Sequence, residues 1–109
     1  MKNEGMPPLV IDFEKMRKLD EGIGIFLRTW VTRILKMLLG DAYAVPVKLK
    51  GTPGEIRSFV GAMKGEKSYV EAYRQYGLDD PKTFRSRSKL KNSVSNFERT
   101  TGIKWPFEH

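Results

Sequence analysis

The chain has 109 residues, of which 39% are hydrophobic and 11% aromatic, and this size and composition predict one folded domain. It has no cysteine, which excludes a disulfide framework and a thiolate nucleophile, and its single histidine, His109, excludes His-based metal sites and triads. The formal net charge of +7 favours a polyanionic partner such as nucleic acid.

The predicted fold class is mainly α: a small helical domain of four to five helices with one short β-strand at about 45–50. The first residues are polar and then interrupted by proline, which predicts a flexible N-terminus at 1–10 and a single helical domain at 11–109. The start of the chain shows no secretory signal pattern, and we expect a cytoplasmic protein.

The first helix is predicted to begin near Asp12 and to be interrupted at Gly22 and Gly24. The segment 25–39 is the most apolar of the chain, and its spacing predicts an amphipathic helix that supplies much of the core. Two other interpretations stay open, a helix on a membrane surface and a helix bound in the groove of a partner protein. A membrane partner is disfavoured, and a groove-binding helix would use Phe26, Trp30 and Leu38.

The alternation of apolar and polar residues at 45–50 predicts a short edge strand, because Pro46 lacks a backbone donor. Its partner is predicted to be residues 9–12, residues 103–107, or a second copy of the same strand in a homodimer. The last arrangement is that of ribbon-helix-helix repressors, in which Lys48 and Lys50 would contact DNA.

The sequence GTPG at 51–54 matches the loop that holds nucleic-acid backbone in KH domains. We favour a helix start, with Thr52 as N-cap, Pro53 as first residue and Glu55 as capping-box partner. This helix is expected to end at Gly65. The sequence predicts a second helix from Ser68 whose tyrosines pack inward, or else stack on single-stranded bases; they are Tyr69, Tyr73 and Tyr76.

Gly77 and Leu78 are expected to close that helix, and Asp79 or Asp80 to cap the next one at Pro81. Phe84 does not fall on the apolar stripe of the residues that follow. The sequence therefore predicts a short or kinked helix at Pro81, followed by another from Ser88. Between residues 82 and 91 the chain carries five cations and no acid.

The run AYRQYGLDDPKTFR resembles the turn of helix-turn-helix modules in transposases and in phage or bacterial regulators. In those modules an aromatic-Gly-Leu turn leads into a short polar stretch, then Thr, an apolar residue and Arg. The resemblance, over residues 68–90, implies that Tyr76, Gly77 and Leu78 form the turn. It further implies that the residues facing DNA are Lys82, Thr83, Arg85 and Arg87.

At the C-terminus, Gly102 is expected to end the last helix, and Trp105 and Phe107 either fold back over the core or serve as a peptide ligand. Asp79, Asp80 and Glu98 are the acids considered for Mg²⁺, but a helix start explains the Asp pair. We expect no metal, no cofactor and no enzymatic activity.

The basic character lies in the second half, since residues 1–44 carry a net charge of +1 and residues 45–109 carry +6. The sequence thus predicts a nucleic-acid-binding protein with a regulatory role, with DNA favoured over RNA. The alternative is a protein-binding adaptor or inhibitor. The residues predicted for nucleic acid are Lys82, Thr83, Arg85, Arg87, Lys89, Lys91, Lys48 and Lys50; those for the alternative are Phe26, Trp30, Leu38, Trp105 and Phe107.

Overall fold

A computed structural model of the chain describes residues 8–18 and 23–109. The described part is mainly helical with one short two-stranded sheet, which confirms the predicted fold class. In chain order the elements are β1 (Leu9–Asp12), α1 (Phe13–Arg17), α2 (Ile23–Leu38), β2 (Val47–Lys50), α3 (Pro53–Tyr76) and α4 (Pro81–Thr101).

The N-terminal predictions are corrected in part. Residues 1–7 of the predicted flexible segment lie outside the described residues, but Leu9 and Val10 belong to β1. Helix α1 begins after Asp12, whose carboxylate accepts a hydrogen bond from the backbone of Lys15, and it ends at Arg17. Of the two predicted interruptions, Gly22 lies outside the described residues and Gly24 lies inside α2.

Strand β2 finds its partner within the chain. It pairs in parallel with β1, with Leu9 opposite Val47 and Asp12 opposite Lys50. Parallel pairing requires a crossover connection, which α1 and α2 provide. The predicted partner at 9–12 is therefore correct, and the one at 103–107 is wrong because that segment forms no strand. β2 has a partner without self-pairing across a dimer.

Helices α3 and α4 form an antiparallel hairpin, and both are longer than predicted. A Cβ built on Gly54 would lie 3.7 Å from Thr100 Cγ2, and the Phe59 and Phe97 rings are 6.0 Å apart between centroids. These contacts lie at successive levels along both helices, so the helices pack side by side. The predicted break at Gly65 and the predicted new start at Ser88 are wrong.

Gly65 is inside α3 because its missing side chain allows close packing. A Cβ there would lie only 3.1 Å from Leu90 Cδ1 and 3.2 Å from Leu90 Cα on the facing helix. The glycine thus allows close approach of two helices and does not end one. The capping signature at Ser68 is not used either, since Glu71 pairs with Lys67 within the helix, with 3.3 Å between Nζ and Oε2.

The core lies on one side of this hairpin. Three parts of the chain pack against that side: strand β1, helix α2 and the C-terminal tail, which is residues 102–109 after α4. Helix α2 is therefore a core helix, with Leu27, Val31 and Ile34 buried, as the favoured interpretation predicted. The buried cluster consists of Ile11, Phe13, Met16, Leu27, Val31, Ile34, Phe59, Ala62, Met63, Phe97, Ile103 and Trp105.

The other side of the hairpin faces solvent, and we call it the uncovered face. It is defined by the α3 and α4 residues that helical periodicity turns away from the buried cluster. All of them are exposed: Arg57, Lys64, Ser68, Glu71, Gln75, Lys82, Arg85, Lys89, Asn92, Asn96 and Arg99.

Candidate nucleic-acid interface

The turn between α3 and α4 ends and restarts the helices where the sequence predicts, but Leu78, expected to help close it, is 61% exposed. Tyr76 is the last residue of α3, and Gly77 follows it with φ of +88°, a conformation that glycine adopts at little cost. The Gly77 N–H donates to the Tyr73 carbonyl over 2.9 Å. Asp80, one of the two predicted caps, accepts a 2.8 Å hydrogen bond from the Lys82 N–H, and Pro81 is the first residue of α4.

Thr83 has a structural role at this turn and is not available to DNA. Its side chain is only 2% exposed, and its hydroxyl donates a 2.6 Å hydrogen bond to the carbonyl oxygen of Gly77. The position that the resemblance assigns to DNA contact thus secures the start of α4 against the end of α3. Phe84, the next residue, is 50% exposed because it lies off the buried side of a continuous α4.

The hairpin differs in geometry from the arrangement that the resemblance implies. In a helix-turn-helix the two helices meet at about 90–120° and the second is the recognition helix. Here α3 and α4 lie against each other from Gly54 and Thr100 to Gly65 and Leu90. Any contact of α4 with DNA would therefore bring the exposed surface of α3 with it. DNA binding by this region stays a prediction.

The five predicted cations of α4 do not lie on one surface. Lys82, Arg85 and Lys89 belong to the uncovered face. Arg87 and Lys91 are each two residues from Lys89, which places them about 200° around the helix. Arg87 is half-buried, and Lys91 is exposed on a different side of α4 from Lys89. A single flat ligand can contact the first set and not the second.

Six of the residues on the uncovered face are cations, and one, Glu71, is an acid. Glu71 is paired with Lys67, so its charge is already neutralised locally. Throughout the part of the chain that the structure describes, no carboxylate lies within ion-pair distance of Lys64, Arg85 or Lys89. The ammonium group of Lys82 lies 4.3 Å from the centre of the Tyr76 ring. The face therefore has a strong positive potential.

A shallow groove of about 330 Å³ runs between α3 and α4 on this face. Five of its seven lining residues are glycine or serine, and the other two are Lys64 of α3 and Lys89 of α4. Hydroxyl groups beside two ammonium groups are donors that suit an anionic oxygen. The lining residues are Gly61, Lys64, Gly65, Ser68, Ser86, Lys89 and Ser93.

Lys48 and Lys50 are exposed on β2 and lie far from the start of α4. β2 leads into the N-terminal end of α3, whereas Lys82 follows the C-terminal end. The 24 residues of α3 separate the two ends by about 36 Å at 1.5 Å per residue. The structure therefore does not bring the strand lysines and Lys82 into one site. The GTPG tetrapeptide beside them is a helix start, with both hydrogen bonds of the capping box between Thr52 and Glu55.

The C-terminal tail folds back onto the core, so it does not serve as an exposed peptide ligand. Trp105 is 3% exposed, and its indole N–H donates a 2.8 Å hydrogen bond to Glu66. Its backbone N–H donates to Glu98 over 2.8 Å. Phe107 is half-buried and packs against the core, with the Arg28 guanidinium 5.6 Å from its ring centre. These residues are removed from the protein-binding alternative.

Helix α2 also offers less to a partner than the sequence suggests. Phe26 stays exposed and stacks on the half-buried Trp30 with ring centres 6.1 Å apart, and Leu38 is exposed at the other end of the helix. Between them Leu27, Val31 and Ile34 are buried, and Leu35 and Met37 are partly buried against the core. No continuous exposed apolar face therefore remains for a groove or a lipid surface. No described helix is long and apolar enough to cross a membrane.

Two buried carboxylates were not predicted from the sequence. Glu66 accepts hydrogen bonds from Trp105 and pairs with His109, whose Nε2 lies 2.8 Å away. Glu55 pairs with Arg17 and accepts a hydrogen bond from Thr52. An acid on an apolar stripe, as Glu66 is among Phe59, Met63 and Val70, is the sequence signal for such a group. Both carboxylates are fully partnered and hold the fold.

Two of the three acids considered for a metal are engaged in other contacts, and the third, Asp79, is exposed. Asp80 caps α4, and Glu98 accepts from the Trp105 backbone. Across residues 8–18 and 23–109 the structure contains no group of three acidic, histidine or cysteine side chains that could hold a metal ion.

Eight of the eleven residues of the uncovered face were not among the predicted site residues, and they include Arg57, Lys64, Asn96 and Arg99. Arg57 and Lys64 were not predicted because a helix ending at Gly65 does not pack along α4, whereas α3 continues to Tyr76. Asn96 and Arg99 continue the row begun by Arg85, at three- and four-residue spacing along one side of a continuous α4. The sequence predicts this row only if α4 is a single continuous helix.

No family model matches this chain. Comparisons with curated proteins and with solved structures also found no match.

Proposed function

We propose that this protein binds nucleic acid, preferentially duplex DNA, with the uncovered face of the α3–α4 hairpin laid against the phosphate backbone. The observation that supports the proposal is the six exposed cations of that face, faced by a single acid that already has a partner. Cations without acidic neighbours release condensed counterions from a polyanion when they bind it, and this release dominates affinity.

The width of the face favours backbone contact over deep groove insertion. Two packed helices have axes about 8–10 Å apart, so with their side chains they exceed a major groove about 12 Å wide. The row of cations from Lys82 to Arg99 extends about 26 Å along α4 at 1.5 Å per residue, enough to span several phosphates. Arg85 and Asn92 on the outermost line of α4 are of the residue types that contact base edges.

The proposal includes a non-catalytic, regulatory role and a cytoplasmic location. The polar groups of the face are ammonium, guanidinium, amide and hydroxyl groups, which bind phosphate oxygens and bases without chemical change. Binding is expected to depend weakly on sequence, because phosphate contacts position a protein on DNA while base contacts specify the site.

The test is the affinity for a labelled duplex across a series of salt concentrations. We expect the logarithm of the association constant to fall with the logarithm of salt with a slope of about −4 to −5, given about −0.9 per phosphate contacted. The double variant Arg85→Ala and Lys89→Ala should weaken binding at least about tenfold and reduce the slope by about 2.

A matched control changes the net charge equally but off the face. The double variant Lys48→Ala and Lys91→Ala removes two exposed cations that the sequence also assigned to DNA. We expect it to bind nearly as well as the native protein. Equal losses in both variants would show that only net charge matters, and no binding to duplex at low salt would refute the proposal. A preference for single-stranded nucleic acid would contradict its duplex part.

A further inference from the structure

The outer face of α2 is a second basic surface, which the proposed function does not use. Cations and threonines line a shallow depression of about 430 Å³ on it. Helix α2, from Ile23 to Leu38, contains no acidic residue. Nowhere in the described residues does a carboxylate lie within ion-pair distance of Arg33 or Lys36. We define the α2 outer face by its lining residues, Arg28, Thr29, Thr32, Arg33 and Lys36.

The α2 outer face and the uncovered face lie on opposite sides of the molecule. Leu27 and Val31 of α2 belong to the same buried cluster as Phe59 of α3 and Phe97 of α4. That cluster covers one side of the hairpin, and the uncovered face is turned away from it. Helical periodicity likewise turns Arg33 and its neighbours away from the cluster. The core separates the two basic surfaces.

The chemistry of the α2 outer face fits a phosphate backbone better than a membrane. A helix that lies on a lipid surface inserts its apolar side between the headgroups. Leu27 and Val31 are buried at 0% exposure, and the exposed apolar residues Phe26 and Leu38 lie at opposite ends of α2, so no continuous apolar side remains to insert. The guanidinium and ammonium groups of the face are of the kind that binds phosphate oxygens. Arg28 is already held near the Phe107 ring, which leaves Arg33 and Lys36 as the most accessible cations.

We propose that the α2 outer face binds a second segment of duplex DNA, so that one molecule bridges two duplexes. This inference rests on the proposed function, because it requires the uncovered face to hold the first segment. Among the described residues both surfaces carry more cations than acids, which complements a phosphate backbone, and the core separates the two surfaces; these observations support the proposal. Two duplexes can then be held together without steric conflict between them.

The experiment measures capture of a labelled duplex by a second duplex tethered to a surface, with the stoichiometry in solution as a companion readout. We expect the native protein to capture the labelled duplex and to bind two short duplexes per protein molecule. The double variant Arg33→Ala and Lys36→Ala should lower capture at least about tenfold and reduce the stoichiometry to one, while its affinity for a single duplex changes less than about threefold. The variant Lys48→Ala and Lys91→Ala serves as the equal-charge control and should capture normally.

The outcomes separate the two proposals. If the native protein binds no duplex, the proposed function fails and bridging fails with it. If it binds one duplex per molecule, and Arg33→Ala with Lys36→Ala changes nothing, bridging is overturned and the proposed function stands. Capture that occurs only through protein dimers and survives that variant also overturns bridging. Binding of vesicles of anionic lipid through the α2 outer face, without a second duplex, would assign the face to a membrane instead.

Discussion

The two sides of the α3–α4 hairpin differ in whether their charged side chains are buried and paired or exposed to solvent. On the covered side Glu66 is 3% exposed and is held by the Trp105 indole and by His109, and Glu55 is held by Arg17. On the uncovered face the cations have no such partners among the described residues. The same two helices thus carry one side whose charges are tied into the fold and one side whose charges are exposed to solvent.

This difference indicates what each side is for. A buried carboxylate costs several kcal/mol of folding free energy, on the order of 3–5 kcal/mol, if one partner is removed, so the covered side must keep its donors. An exposed cation contributes little to stability, within about 0.5 kcal/mol in most surface substitutions. Substitutions should therefore lower stability on one side and binding on the other.

The largest effect is expected from Trp105→Ala. This change removes the indole that packs against Phe59 and Phe97, with ring centres 6.0 and 5.1 Å away, and takes a hydrogen-bond donor from Glu66. The free energy of unfolding should fall by about 3–5 kcal/mol, as for other buried aromatic truncations. Urea unfolding followed by circular dichroism measures it. Phe84→Ala, at a half-exposed ring on α4, is the control and should change stability by less than about 0.5 kcal/mol. Similar losses in the two variants would mean that the tail does not close the core.

A second test uses two glycines on α3. Alanine at Gly65 would meet Leu90 backbone at 3.2 Å, whereas a Cβ at Gly61 meets nothing within 4 Å. Gly61→Ala should stabilise by about 0.5–1 kcal/mol through helix propensity. Gly65→Ala should destabilise by about 1–2 kcal/mol, since overpacking costs about 1–3 kcal/mol. Thermal unfolding of both variants gives the signs, and a stabilising Gly65→Ala would show that the helices separate without cost.

That glycine also shows where sequence reasoning succeeded and where it failed. Local rules located the start of α3 at Thr52, its end at Gly77 and the cap at Asp80, because each of these depends on hydrogen bonds between near neighbours. The core role of α2 followed from its periodicity. The sequence of Gly65 and Ser68 is also typical of a helix end, but here a facing helix decides the outcome. Leu90 is 25 positions away, and no local pattern reveals it.

The candidate site was predictable to the same extent. The basic character of α4 was evident, and Lys82, Arg85 and Lys89 do lie together. Which side of α4 faces solvent depends on its packing against α3, and this placed Arg87 and Lys91 elsewhere. Thr83 is buried at the turn, where its hydroxyl donates a hydrogen bond to the Gly77 carbonyl, a contact that depends on how the two helices meet. Packing against α3, and not residue type, therefore decides which of the predicted α4 residues lie on the uncovered face.

The role of Thr83 gives a third, smaller test. Thr83→Val keeps the shape of the side chain and removes the 2.6 Å hydrogen bond to Gly77. We expect a loss of about 1 kcal/mol in the free energy of unfolding, with duplex affinity per folded molecule unchanged. Thr100→Val, at an exposed position on the same helix, controls for the substitution itself. If Thr83→Val weakens binding while stability is retained, then this residue contacts nucleic acid as the resemblance implied.

The smallest expected effect on stability is at Asn96. Asparagine is a poorer helix former than alanine by up to about 0.7 kcal/mol, because its side chain competes for backbone hydrogen bonds. Asn96→Ala, at an exposed position inside α4, should therefore raise stability by a few tenths of a kcal/mol, on the order of 0.5. Ser95→Ala is the matched control, since Ser95 is its exposed neighbour but lies off the uncovered face.

Both variants should unfold at a slightly higher urea concentration, and only Asn96→Ala should weaken duplex binding. This opposition is informative because α4 keeps an unfavourable residue where a better helix former would fit. If the amide contacts phosphate or a base edge, its removal improves the fold and impairs the function. If both variants bind duplex as the native protein does, Asn96 is a solvated side chain, and the uncovered face acts through its cations alone.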